Sequence, residues 1–161
     1  MEVVYPGARH NHERCVADAL QRAEDVCAAR GVWLTDLRRL VLELVWQGHS
    51  PVGAYKLLEG LRRRGRRADP PTVYRALDFL KEQGLVHRIE SRNAFAGCAR
   101  PGEVHQAQYL LCESCGDAIE IEIGGLAHRI ENQAAEIGFD VAGQTIEAHG
   151  LCGQCRPEPE R

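Results

Sequence analysis

Two Cys-x-x-Cys pairs constrain what this chain can fold into more than any other feature. Cys112-Glu113-Ser114-Cys115 and Cys152-Gly153-Gln154-Cys155 stand 36 residues apart. A two-residue spacer lets both sulfurs of a pair reach one ion, and two pairs complete the tetrahedral four-sulfur site that zinc prefers. The backbone must therefore return on itself between them. A simple zinc ribbon needs only about 15–20 residues for that return. Here the surplus reads as strand, helix and strand. Gln108-Tyr109-Leu110-Leu111 is a strand leading into the first pair. Residues 118–123 alternate, with Ile119, Ile121 and Ile123 on one face and Glu120 and Glu122 on the other. Leu126, Ile130, Ala134 and Ile137 mark a helix ended by Gly138, and residues 139–148 give a last strand, bulged at Gly143. Four thiolates leave zinc no open position, so the site is structural. The redox reading of Cys-x-x-Cys needs only one pair at a helix start, and two pairs disfavour it. A unit with so small a core calls for a metal staple or a dimer partner.

Residues 69–84 form a second self-contained signal. Asp69 caps a helix and Pro70-Pro71 occupies its first turn, where a missing N–H has no partner to lose. Gly84 ends it. Val73, Leu77 and Leu80 fall at i, i+4 and i+7 and make one apolar face. Thr72, Tyr74, Arg75 and Asp78 point elsewhere, so the first turns present a hydroxyl, a phenol and a guanidinium. A recognition helix reads base edges with such N-terminal turns, although an ordinary amphipathic helix with a solvated face has the same periodicity. The next fourteen residues decide between the two. Leu85-Val86-His87-Arg88-Ile89-Glu90, a turn at Ser91-Arg92-Asn93 and Ala94-Phe95-Ala96-Gly97-Cys98 spell a hairpin. Helices followed by a hairpin are a winged helix-turn-helix.

The preceding segments fit that fold. Residues 11–30 repeat Val16, Leu20, Ala23, Val26 and Cys27 at helical spacing, with Gly31 as the stop. Cys15 and Cys27 lack a nearby cysteine and read as packing residues. Residues 1–10 carry no pattern and are expected to be disordered; His10 and His12 are tail histidines with no ligand signature. Thr35 caps a helix with a stripe of Leu37, Leu40, Val41, Leu44 and Val45, closed by Gly48. Ser50-Pro51 is expected to cap a third helix running to about Arg64. Arg62, Arg63, Arg64, Arg66 and Arg67 then place five arginines in six positions directly before the recognition helix. A solvated turn is the plain reading; phosphate contact, which gives affinity without sequence information, is the better one.

Charge divides the chain in the same way. Residues 1–92 carry a net +4 and residues 93–161 a net −7. A basic half is suited to a polyanion, and an acidic half is not. Met1-Glu2-Val3-Val4-Tyr5-Pro6 lacks the basic start and apolar core of a secretory leader, and no apolar run reaches about 18 residues. These features predict a cytoplasmic chain with reduced thiols, so its seven cysteines argue for metal over disulfides. The expected fold class is α+β. A winged helix-turn-helix domain covers 1–98 and a hinge covers 99–106, around Arg100-Pro101-Gly102. A small α/β dimerisation domain with the structural four-cysteine zinc site covers 107–161.

Pro71-Thr72-Val73-Tyr74-Arg75-Ala76-Leu77, followed by Gly84-Leu85-Val86, resembles the recognition helix and wing of the ferric uptake regulator family. The run through His87-Arg88-Ile89-Glu90-Ser91 and Cys98 is most similar to its zinc-sensing branch, the zinc uptake regulators. The resemblance extends over about residues 12–156. Leu34, Thr35 and Arg38 match a further family pattern, with Asp36-Leu37 where Pro-Gln is common. The resemblance implies structural zinc on Cys112, Cys115, Cys152 and Cys155. It also implies a regulatory zinc on His87, Cys98, His105 and Glu120, giving two zinc ions per chain. A sulfur among nitrogen and oxygen donors suits zinc better than manganese or iron, and only one histidine, His105, precedes the first cysteine pair where iron-sensing relatives carry a cluster. Glu122, His128 and His149 rank below these four.

The implied function is a zinc-responsive transcriptional repressor. It would bind double-stranded operator DNA as a homodimer when its regulatory site is filled and silence zinc-uptake genes. Tyr74 and Arg75 are expected to read bases, with Thr72, Arg64, Arg66 and Arg67 completing the DNA contacts. An iron or peroxide sensor of the same family is the alternative. A zinc hydrolase is disfavoured, because neither His-Glu-x-x-His nor the deaminase pattern occurs. No catalytic residue, small-molecule substrate or membrane partner is expected.

Overall fold

The computed structural model describes residues 11–157. The expectations for residues 1–10, including His10, lie outside the described residues. The chain divides into two compact units between Glu103 and Val104, inside the stretch read as a hinge.

Four helices and a hairpin build the N-terminal unit, and side-chain caps set where three of the helices start. The carboxamide of Asn11 accepts from the Arg14 N–H at 3.2 Å and opens α1 (His12–Ala29). The Thr35 hydroxyl accepts from the Arg38 N–H at 3.4 Å and opens α2 (Asp36–Val45). The third helix, α3 (Ala54–Arg63), starts at a Gly53 cap and not at Ser50-Pro51. The cause is Val52, whose N–H donates to the Phe95 carbonyl at 2.8 Å and whose carbonyl accepts from the Phe95 N–H at 2.9 Å. That two-bond bridge holds Val52 extended and delays the helix. Asp69 opens α4 (Pro70–Glu82) by accepting both the N–H and the hydroxyl of Thr72. The same bonds hold the Asp69 carboxyl below its ordinary range, the side-chain bond contributing most. Gly84 takes φ +67 beyond the end of α4, a left-handed conformation glycine adopts without a Cβ penalty.

Two antiparallel strands, β1 (Val86–Ile89) and β2 (Ala94–Gly97), form the wing in the register Val86 with Gly97 and Ile89 with Ala94. A short 3-10 turn over Glu90–Arg92 joins them and ends at Asn93, which has φ +45. The core lies between helices and wing. Val41, Leu57, Leu61, Val73, Leu80 and Val86 are at most 1% exposed, and Cys27 is packed with them. Burial pushes the Cys27 thiol up, against the pull of Arg30 and Arg38.

Gly97 shows how tightly the wing seats. A Cβ there would overlap the Trp46 indole. Gly97→Ala should therefore force the ring aside and cost about 1–3 kcal/mol. Chemical denaturation followed by tryptophan emission would measure it; an unchanged midpoint would mean the indole moves freely.

In the C-terminal unit a three-stranded sheet has the order β4-β3-β5, with β3 (Gln108–Cys112) antiparallel to β4 (Ala118–Glu120) and parallel to β5 (Ile146–Gly150). Helix α5 (Leu126–Glu136) makes the crossover. Two strands are shorter than expected. β4 stops at Glu120 where its partner β3 has its first residue, Gln108, which takes the Ile121 N–H on its carbonyl and the Ile123 N–H on its side chain. Ladder pairing of β5 begins only at Ile146, so residues 139–145, Gly143 included, lie outside the strand; Gln144 instead donates its amide to the Ala127 carbonyl. Burial does not follow the alternation in 118–123: Glu120 is buried, Ile119 and Ile121 are half-buried, and Glu122 and Ile123 are exposed. No residue of α5 is buried, and Leu110, Ile130, Ile137, Phe139 and Leu151 are all open to solvent.

Candidate metal centres and nucleic-acid interface

Strand pairing assembles the four thiols. Parallel pairing sets Cys112, the last residue of β3, opposite Gly150, two residues before Cys152. The Glu113 N–H then ties to the Gly150 carbonyl at 2.8 Å. Each pair sits in a tight knuckle. The Gly116 N–H returns to the Cys112 carbonyl at 3.1 Å, and the Cys155 N–H to the Cys152 carbonyl at 3.0 Å. All four Sγ atoms lie within 4.8 Å of one another, and Cys115 and Cys152 are 3.9 Å apart. A tetrahedron with zinc–sulfur bonds of about 2.3 Å has edges of about 3.8 Å, so the donor set and its spacing fit zinc. Backbone dipoles favour the thiolate. The Cys152 N–H donates to Cys112 Sγ at 3.4 Å, and this bond, followed by those from Cys115 and Ser114, brings the Cys112 thiol down to about 6. Cys115 receives an N–H from Asp117 that acts in the same direction, yet its bond to the Cys112 sulfur retains its proton and it is pushed up to about 12. Four sulfurs crowded without a cation cannot all ionise.

The remaining candidate donors fall into two pairs, one in each unit. In the wing, His87 sits on β1 and Cys98 follows β2, fixed by its N–H to the Leu85 carbonyl at 3.0 Å. A ring nitrogen of His87 and Cys98 Sγ lie within 4.8 Å, and Cys98 is 1% exposed. In the C-terminal unit, His105 Nε2 stands 2.8 Å from Glu120 Oε1, with both side chains almost fully buried. The burial of Glu120 on β4 thus has a chemical partner, the His105 ring. Glu122, His128 and His149 are exposed, and His128 is bonded to Glu131 at 3.3 Å.

On the recognition helix α4, Tyr74 is 43% exposed and Arg75 is exposed, held back by a bond from its Nε to the Pro71 carbonyl at 3.3 Å. Thr72 has its hydroxyl engaged with Asp69. Arg66 and Arg67 are exposed. Arg64 differs from them, since it pairs with Glu43 at 2.8 Å. Sequence reasoning passed over two features that only packing reveals: that partner of Arg64, and the seat of Trp46 against the wing beside Cys98. Among the described residues no helix is long and apolar enough to cross a membrane.

A winged helix-turn-helix and a separate sheet unit closed by four thiols define a metal-binding winged-helix protein. The chain belongs to the ferric uptake regulator family, whose model matches residues 29–149. It is 42% identical to the zinc uptake regulation protein of Escherichia coli strain K12, covering 86% of this chain and 81% of the relative. It is 34% identical to the zinc uptake regulation protein of Mycobacterium tuberculosis strain H37Rv, covering 80% and 98%. Among solved structures it is similar to a zinc uptake regulator complexed with zinc and DNA, with a TM-score of 0.82, 41% identity and coverage of 86% and 93%.

Proposed function

We propose that the chain is a zinc-responsive transcriptional repressor of the cytoplasm that binds operator DNA as a homodimer and silences zinc-uptake genes when zinc is plentiful. The observation that carries this reading is the distribution of the donors outside the four-thiol cluster. His87 and Cys98 belong to the DNA-reading unit, and His105 and Glu120 to the sheet unit. Each pair is two donors short of a tetrahedral set, and together they complete it. Zinc held by all four would supply a rigid node between the units. Cys112, Cys115, Cys152 and Cys155 hold a second, permanent zinc, which makes two per chain.

A dimer follows from the apolar side chains that the C-terminal unit leaves in water. Leu110, Ile123, Ile130, Ile137 and Phe139 are too many and too close in sequence for a lone surface. Pairing two chains through them would set two wings and two recognition helices on one duplex. Any ligand that favours the arrangement matching half-sites one turn of DNA apart raises affinity by its differential affinity for that arrangement. The soft sulfur of Cys98 favours zinc over iron.

The test is a zinc titration of protein carrying only the four-thiol zinc, followed by the anisotropy of a labelled promoter fragment from a zinc-uptake gene. Tight binding should appear as the second zinc enters. Equal affinity before and after would refute zinc sensing. Within the interface, Arg75 and Tyr74 read bases, while Thr72, Arg64, Arg66 and Arg67 approach the backbone. Arg75→Ala should cost about 1–3 kcal/mol on operator DNA and relax sequence preference. Equal loss on scrambled DNA would place Arg75 on phosphate alone.

A further inference from the structure

A groove of about 290 Å³ runs between α2 and α4, lined by Thr35, Leu37, Arg38, Thr72, Arg75 and Ala76. Its charge is unbalanced. Elsewhere in this unit Arg39, Arg63, Arg64 and Arg88 each have a glutamate within ion-pair distance, namely Glu24, Glu59, Glu43 and Glu90. Arg38 and Arg75 have no such carboxylate among the described residues. The Arg75 guanidinium adds slightly to the lowering of the Asp69 carboxyl, but that carboxylate is engaged with the N–H and hydroxyl of Thr72.

Arg38 is also held in place by two contacts. Its guanidinium lies 3.6 Å from the Phe79 ring centroid and donates to the Trp33 carbonyl at 2.8 Å. One face is thus covered by an aromatic ring and one donor is engaged, while most of its five N–H donors stay available. A cation fixed in this way loses little freedom when it takes a ligand. Thr35 accepts a backbone N–H with its oxygen, so its hydroxyl proton remains to be given. Guanidinium, hydroxyl and a second guanidinium around one open groove match a tetrahedral oxyanion.

We propose that this groove seats one backbone phosphodiester of the operator, gripped by Arg38 and Thr35. The assignment rests on the DNA-binding reading above and adds to it a phosphate contact in α2, outside the recognition helix. Phosphate contacts fix register and orientation without reading sequence, so the signature of Arg38 differs from that of a base reader.

The experiment uses the full zinc-loaded protein with operator and scrambled duplexes over 50–200 mM salt. Arg38→Gln should weaken both duplexes by the same factor, about tenfold, and reduce the slope of log affinity against log salt by about 0.9. Arg38→Lys should keep the slope and recover part of the affinity, because lysine supplies the charge without the fork. Thermal melting and zinc content accompany each variant; if Arg38→Gln does not fold, the lysine variant decides alone, through a parallel loss on both duplexes at unchanged slope. Unchanged affinity and slope, or a loss confined to the operator, overturns the proposal. Saturable binding of inorganic phosphate below millimolar concentration, without DNA and abolished by Arg38→Gln, would assign the groove to a free anion and overturn it also. If the parent protein itself fails to prefer operator over scrambled DNA, the reading beneath falls with it.

Discussion

Cys152→Ser should yield a protein that purifies with one zinc fewer per chain and cannot hold its C-terminal unit together. Cys152 does two things in that unit. It supplies a thiolate, and its N–H is the main donor to Cys112 Sγ. Serine keeps the N–H but offers zinc a hydroxyl that neutral pH does not ionise. The unit has few alternatives to fall back on. Its buried side chains come almost entirely from β3 and β4, and α5 contributes none. In small zinc modules, metal-binding free energy is folding free energy, about 10–16 kcal/mol in zinc-finger peptides, which exceeds what so small a core supplies. Metal analysis should therefore show the loss. Hydrogen exchange should become fast across 104–157 while the buried amides of α2 and α4 stay protected, and the dimer should dissociate. A variant that remained dimeric with its full zinc content would mean that the four thiols are not the staple.

Cys98→Ser should leave that staple intact and abolish the response to zinc. The substitution changes little in packing, since a hydroxyl is slightly smaller than a thiol and fits the 1% exposed site. It removes the only sulfur from the proposed regulatory set. Zinc-induced tightening on the promoter is expected at about 5–150-fold in the parent protein, a coupling of ordinary allosteric size, and close to none in the variant. Circular dichroism and the first equivalent of zinc should be unaffected. His87→Ala should act in the same direction from the other residue of the wing pair. A parent-like zinc response in Cys98→Ser would remove the wing from the sensing site.

How far the sequence could be read depended on whether a feature was local. Thr35 and Asp69 announce their helices because a cap bonds within three residues of itself. The cysteine pairs announce their metal for the same reason of spacing. The start of α3 was not legible, because the bridge from Val52 to Phe95 spans two elements far apart in the chain. Nor was the end of β4, which falls where its partner strand β3 begins. The ion pair of Arg64 with Glu43 on α2 was not legible either, because it joins residues 21 apart in the chain. The His105–Glu120 contact is the clearest case in the candidate site. Alternation in 118–123 puts Glu120 on the side that water would ordinarily claim, yet Glu120 is buried against His105 while Glu122 on the same side is exposed. Family resemblance supplied both residues, whereas residue pattern alone would have left them unremarked.

The parallel pairing of β3 with β5 also has a bearing on how the C-terminal unit is assembled. β4 follows β3 after five residues and can close on it within microseconds, as hairpins do. β5 arrives only after the helical crossover, a long loop whose closure entropy must be met before any contact rewards it. Cys112 and Cys115 are therefore in place early and wait for Cys152 and Cys155. A chain with β5 not yet docked would hold an open two-thiol knuckle, a form exposed to oxidants or to a competing soft metal. Prompt arrival of the right ion is thus a kinetic safeguard as well as a source of stability.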